Sequence, residues 1–208
     1  RLDSVMFRFI PDTNQRISQL LAGACHMITH DGLDADLIPF FLEAEAEQLV
    51  QSIIIPDRFG WEIVFGINSW GEYGDGSGRP DWFEDAGVRQ AVAMCIDRQE
   101  IVDSLYYGYS TVAHNYIPPI HPLSARDATQ WPYDVNAANS LLDEFGYLDN
   151  NEDGTREDPI TGTEFSISLI TGLGRKEFQI AQMLEDFLST CGIELLVERT
   201  SEISQDST

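Results

Sequence analysis

The chain has 208 residues, 43% of them hydrophobic, and a net charge of −23 from 12 basic and 35 acidic side chains. That length can bury one substantial core or two small ones, and that apolar content excludes a disordered chain. So acidic a surface repels phosphate backbones and anionic lipid, which excludes nucleic acid as a partner, and no apolar run approaches the about 20 residues of a membrane span.

Residues 4–10 alternate, with Val5, Phe7 and Phe9 against Met6 and Arg8, the pattern of a half-buried strand. Asp12 caps a short helix through Leu21 that Gly23 stops. Residues 25–29 read as a short strand, and residues 36–49 carry helical periodicity in Leu37, Phe40, Phe41, Ala44 and Leu49. Residues 52–55 and 62–68 are rich in β-formers. Residues 1–68 therefore read as β-α-β-α-β-β. The stretch 70–84 holds four glycines, Pro80, Trp70, Tyr73 and Trp82, the punctuation of a loop, and a domain boundary is placed there.

Val88, Ala91, Val92, Cys95 and Ile96 then recur at helical spacing. Asp97 stands three residues before Glu100, a capping-box pattern that stops one helix and starts a second, which ends near Gly108. Residues 110–132 form a long irregular segment with Pro118, Pro119, Pro122 and Pro132, and a loop of that length usually serves a function or wraps a surface. Asp134 caps a helix over 135–145 that Gly146 ends. Strand 165–170, amphipathic helix 175–190 and strand 193–197 make a βαβ unit, which predicts parallel pairing. Residues 201–208 read as a flexible polar tail.

The three cysteines, Cys25, Cys95 and Cys191, fit no zinc spacing. Cys95 and Cys191 sit at apolar positions, and buried free thiols are expected in preference to a disulfide. His26 and His30 are four apart in a strand-like segment, where they lie about 13 Å from each other, so they read as a structural pair and not as metal ligands. In residues 149–158, Asp149, Asn151 and Asp153 with Gly154 match the first half of an EF-hand loop, with Thr155 and Asp158 as further ligands, but position 12 is Ile160 and the bidentate Glu is missing. The segment reads either as a solvated Asp-Gly turn or as a weak, millimolar calcium site; no cofactor is required. Nucleophile-elbow, zinc-protease and P-loop motifs are absent, and no enzymatic activity is expected.

Residues 88–102, Val88-Arg89-Gln90-Ala91 through Ile96-Asp97-Arg98 to Ile101-Val102, resemble the "VRQAxxxAIDRxxIV" signature of the extracytoplasmic solute-binding proteins of family 5. Further collinear matches are Arg16 with Leu20-Leu21 and Gly23, Ile117-Pro118-Pro119, Tyr133-Asp134 with Ala137, Leu141-Leu142 and Gly146-Tyr147, and Ala181-Gln182 with Leu184 and Gly192-Ile193. The resemblance implies an α/β fold of the periplasmic-binding-protein type II-like, two-lobe architecture, of which this chain is a fragment. Residues 1–68 would complete one lobe and residues 69–200 build most of the second. It implies capture of peptides or a similar polar solute in an inter-lobe cleft and delivery to ABC permease subunits, outside the membrane, with a signal or lipid anchor upstream of this sequence. The family's downstream tryptophan–aspartate segment, which commonly helps fix a peptide's amino group, is not in this chain. The expected cleft contributors are Asn68 at the crossover and Trp70 and Tyr73 in the aromatic loop, then, by family position, Tyr116 beside Ile117-Pro118-Pro119; the competing role for Trp70 and Tyr73 is filling the hinge. The alternative functions are a sensing or interaction module without transport, or a glycan-binding receptor.

Overall fold

A computed structural model of the chain describes residues 3–29, 33–55, 62–67 and 80–201. Helix α1 spans Thr13–Leu21, and the Asp12 carboxylate accepts from Gln15 N at 2.7 Å at its start. A 3-10 turn, Ala35–Leu37, leads into α2, Ile38–Ala46. Pro39 lies in the first turn of α2, where its missing N–H costs no hydrogen bond. Helix α3 is Ala86–Cys95, capped by Asp85, and α4 is Arg98–Tyr106, whose Glu100 N–H donates to Asp97 Oδ1 at 2.9 Å. Helix α5, Val135–Glu144, starts where the Asp134 carboxylate accepts from Ala137 N at 2.9 Å. Strand β1 is Ser166–Thr171, α6 is Arg175–Ser189 and β2 is Glu194–Arg199. The expected parallel pairing is present, with Ile167 opposite Leu195 and Leu169 opposite Val197. No described helix is long and apolar enough to cross a membrane.

The chain divides into two units, Arg1–Pro56 with Asp103–Ser110, and Asp57–Val102 with Thr111–Thr208. In the first, Ile17 and Ala44 are the buried hydrophobic residues among those described. The segments read as strands over 4–10, 25–29 and 52–55 have no ladder partner there, and Val5, Phe7, Phe9, Met27 and Ile53 are exposed. Described residues 62–67 likewise form no ladder with any described residue. Alternation records which face a strand would bury; it does not supply the neighbouring strand that makes the ladder.

The second unit holds the main core. Trp82 stacks on Phe165 with ring centroids 4.5 Å apart, and Tyr147 lies 5.1 Å from Phe165 on centroids. Around them pack Val88, Ala91 and Val92 of α3, Ala138 and Leu142 of α5, Leu184 and Leu188 of α6, and Ile193 and Leu195. The face of α3 read from the helical spacing is therefore the face that is buried, whereas Phe40 and Leu49, read on one face over residues 36–49, are exposed. Phe145, just past α5, lies against Gly87, where no side chain would fit.

The expectation of free thiols at Cys95 and Cys191 is overturned, because the two are joined in a disulfide with Cα atoms 6.3 Å apart. Both are fully buried, as their apolar positions implied. Spacing along the chain could not reveal that the end of α3 meets the turn after α6, 96 residues away. Cys25 is a free thiol.

Phe165→Ala is expected to lower stability by about 3–5 kcal/mol in urea denaturation, as for other fully buried aromatic rings. Phe9→Ala, on a side chain 96% exposed, should stay within about 0.5 kcal/mol of the parent. Equal losses at the two positions would contradict this division of the core.

Candidate functional site

After α5 the chain turns at Gly146, whose φ of +85° suits a residue without a side chain, and Tyr147 enters the core. Residues 148–164 then fold back through single bridges, Leu148 to Glu157 and Glu157 to Glu164. Within this segment the acidic turn is closed by its own backbone. Asp149 accepts from Asp153 N through Oδ1 at 3.2 Å and from Gly154 N through Oδ2 at 2.9 Å. Asn151 Oδ1 accepts from Asp153 N at 3.0 Å, and Asp153 Oδ1 from Thr155 N at 2.8 Å.

Four of the five residues singled out as calcium ligands, Asp149, Asn151, Asp153 and Thr155, thus share one turn. Asp158 does not join them. It is buried, and its Oδ1 accepts from Ile160 N, Thr161 N and Thr161 Oγ1, closing the next turn. Among the described residues no group of three or more His, Cys, Asp or Glu side chains is arranged to hold a metal ion.

Charge in the turn is unevenly distributed. The Thr155 N–H holds the Asp153 carboxyl below its ordinary range, with help from the Asn151 and Glu164 side chains. The Asp153 charge in turn pushes Glu164 above its ordinary range. The two linkages have opposite signs. Asp153 contributes stability above its unfolded pKa, and that contribution is lost as pH falls through its depressed folded value. Glu164 contributes below its unfolded pKa, and that contribution is lost as pH rises through its elevated folded value.

The residue that organises this region is Arg156, which the sequence reading passed over. Its Nε donates to Cys191 O at 2.9 Å and its Nη2 to Asn139 Oδ1 at 2.9 Å. Its Nη1 reaches Asp143 Oδ1 at 2.6 Å and the Tyr147 carbonyl. The side chain is 11% exposed, and its backbone N–H donates to Gly192 O at 2.8 Å. Gly192 has φ +68°, and a Cβ there would lie 2.9 Å from Arg156 Cγ, so both conformation and space require glycine. An open groove of about 530 Å³ lies alongside, lined in part by Asn139, Asp143, Asp149, Asn150 and Thr190. A second hollow of about 410 Å³ exposes parts of Trp82, Phe145 and Tyr147, with Asp81, Glu84, Asp85 and Asp158 around it. Burial, then Asp158, Asp85 and Asp81, push the Tyr147 phenol up. A lone arginine between Thr155 and Glu157 was the only signal for the hub available in the sequence.

Of the expected ligand contacts, Asn68, Trp70 and Tyr73 lie outside the described residues, as does His30 of the histidine pair. Tyr116 is described and is 86% exposed. Its neighbours are pinned. Asn115 Oδ1 accepts from Ile117 N at 2.9 Å, Asn115 Nδ2 donates to Ala125 O at 3.1 Å, and Ser124 Oγ donates to Ile117 O at 3.0 Å. The far end of this loop is tied by Arg98 to the Trp131 carbonyl and by Asp134 N to Met94 O at 2.9 Å. Tyr116 is thus an aromatic side chain presented outward from a braced loop, a geometry suited to reversible contact.

Residues 1–207 match the family model for bacterial extracellular solute-binding proteins, family 5 Middle. The oligopeptide-binding protein AppA of Bacillus subtilis is 30% identical over 98% of this chain and 35% of its own length. The glutathione-binding protein GsiB of Salmonella choleraesuis is 28% identical over 72% of this chain and 26% of its own length. The solved structure of B. subtilis AppA in complex with a nonapeptide superposes with a TM-score of 0.59 and 26% identity, over 92% of this chain and 35% of that one. The chain therefore spans about a third or less of the length of these relatives. It belongs to the bacterial extracellular solute-binding proteins, family 5, and has their α/β periplasmic-binding-protein fold. Members of this family are extracellular or periplasmic solute-binding proteins and not enzymes.

Two outcomes follow. Arg156→Met should cost about 2–3 kcal/mol in denaturant unfolding, because several buried carbonyl and amide acceptors lose a charged donor, and Arg156→Lys should restore only part of it; full restoration by Lys would contradict the hub. In carboxyl NMR titration, Asp153 should titrate below and Glu164 above their ordinary values. Glu164→Gln should leave Asp153 depressed, since the Thr155 N–H is its main support; a return of Asp153 to its ordinary value would show otherwise.

Proposed function

We propose that this chain is part of a receptor that captures peptides outside the membrane, holds them in an inter-lobe cleft and delivers them to the permease of an ABC importer. The observation that carries the reading is the 30% identity to an oligopeptide-binding protein along 98% of the chain. The solved relative with a nonapeptide bound supports the same ligand class. Such a receptor needs reversible contacts and no cofactor: hydrogen bonds to an extended backbone, and aromatic surfaces that tolerate varied side chains. Tyr116, on its braced loop, is proposed as one such surface, with Asn68, Trp70 and Tyr73 as further contacts. The full-length protein would act at the cell surface or in the periplasm, held there by an anchor outside this sequence.

The test is calorimetry of the full-length protein with peptides of three to nine residues, followed by mass spectrometry of the recovered ligand. Micromolar binding and unchanged peptide are expected. Tyr116→Ala should weaken binding about tenfold, the scale of one lost aromatic contact. Absence of peptide binding, or recovery of cleaved peptide, would overturn the proposal.

A further inference from the structure

The Cys95–Cys191 bond is placed where solvent cannot reach it. Cys95 is the last residue of α3, and Cys191 lies two residues past α6. Both are 0% exposed, inside the cluster that includes Ala91, Ala138, Leu142, Leu188 and Ile193. The Cys191 backbone is committed as well: its N–H donates to Leu188 O at 2.9 Å, and its carbonyl accepts from Arg156. A thiol or disulfide reagent therefore cannot reach these sulfurs while the core is closed, so the bond must form before the core finishes packing and can be cut only when the core opens. The bond closes a loop across a separation of 96 residues, long enough to remove much of the unfolded chain's freedom. Two unlinked thiols also need more room than a bonded pair, in a close-packed interior flanked by alanines.

We propose that this disulfide is a folding lock set by compartment. While the thiols are reduced, the second unit stays loosely folded and able to be exported; oxidation outside the membrane then fixes it. The inference rests on the extracytoplasmic part of the proposed function. The chemistry is thiol–disulfide exchange with an oxidant that is itself a disulfide. One cysteine thiolate attacks the oxidant, forming a mixed disulfide and releasing one oxidant thiolate; the second cysteine thiolate displaces the other. The two protons and two electrons given up by the protein thiols pass to the oxidant, which leaves as a dithiol. Cys25, partly exposed and unbonded, serves as the internal reference thiol.

The test uses the full-length protein isolated from an oxidising compartment. Alkylation should label Cys25 in the native state, and Cys95 and Cys191 only after denaturation with reductant. Reductant alone should leave the bond intact. After refolding in reductant, proteolysis within residues 80–199 should be about a hundredfold faster than in the oxidised protein, because cleavage follows the open population. A Cys95→Ala/Cys191→Ala variant should be cleaved at least as fast as the reduced parent in either buffer. Ready alkylation of Cys95 or Cys191 in the native protein, or equal protease resistance of the reduced and oxidised forms, would overturn the lock. Peptide binding, measured on the oxidised sample, reports separately on the proposed function: its loss with the lock intact would refute that reading alone.

Discussion

The fold of the larger unit depends on a knot of bonds around Arg156. Its backbone N–H donates to Gly192 O, its carbonyl accepts from Phe165 N at 2.6 Å, and Glu194 N donates to Phe165 O at 3.0 Å. Its guanidinium reaches α5 at Asn139 and Asp143, the chain after α5 at Tyr147, and the turn after α6 at Cys191. The disulfide from Cys191 adds α3 to the same point. Thus α3, α5, α6 and both strands are registered against one another within a few residues. In a chain with 12 basic side chains against 35 acidic ones, a mostly buried cation is stabilised by negative charge such as that of Asp143, and carbonyl, amide and carboxylate oxygens accept four hydrogen bonds from its guanidinium.

This arrangement separates support from contact. The polar groups near Arg156 and in the acidic turn satisfy each other and hold geometry. Tyr116, by contrast, is 86% exposed on a loop braced by Asn115 and Ser124. In the proposed receptor that separation would leave the stability of the frame independent of ligand occupancy.

Local chemistry was the part legible beforehand. Asp12, Asp97 and Asp134 are adjacent to the backbone groups they cap, so a few residues decide where the helices begin. The βαβ unit was legible because an amphipathic helix of fixed length between two apolar runs leaves a parallel arrangement as the short connection. Three features were not legible. The strand patterns in residues 4–10 and 52–55 state a periodicity but not a partner, and among the described residues they form no ladder. The Cys95–Cys191 bond depends on two helix ends meeting across 96 residues. Arg156 resembles any arginine in an acidic turn until the carbonyls of Tyr147, Cys191 and Gly192 are placed around it. Among the proposed contacts, Tyr116 is the residue the described structure contains, and its bracing by Asn115 and Ser124 is visible only with the loop closed.

Hydrogen–deuterium exchange of the full-length oxidised protein, read at single amides, tests the central claim most directly. The account predicts that the amides of Arg156, Phe165, Ile193 and Glu194 exchange only with global unfolding of the second unit, in the same slow class as Val92 in α3. Exchange of those four amides at the rate of unstructured peptide, while α3 stays protected, would contradict a frame knotted at Arg156.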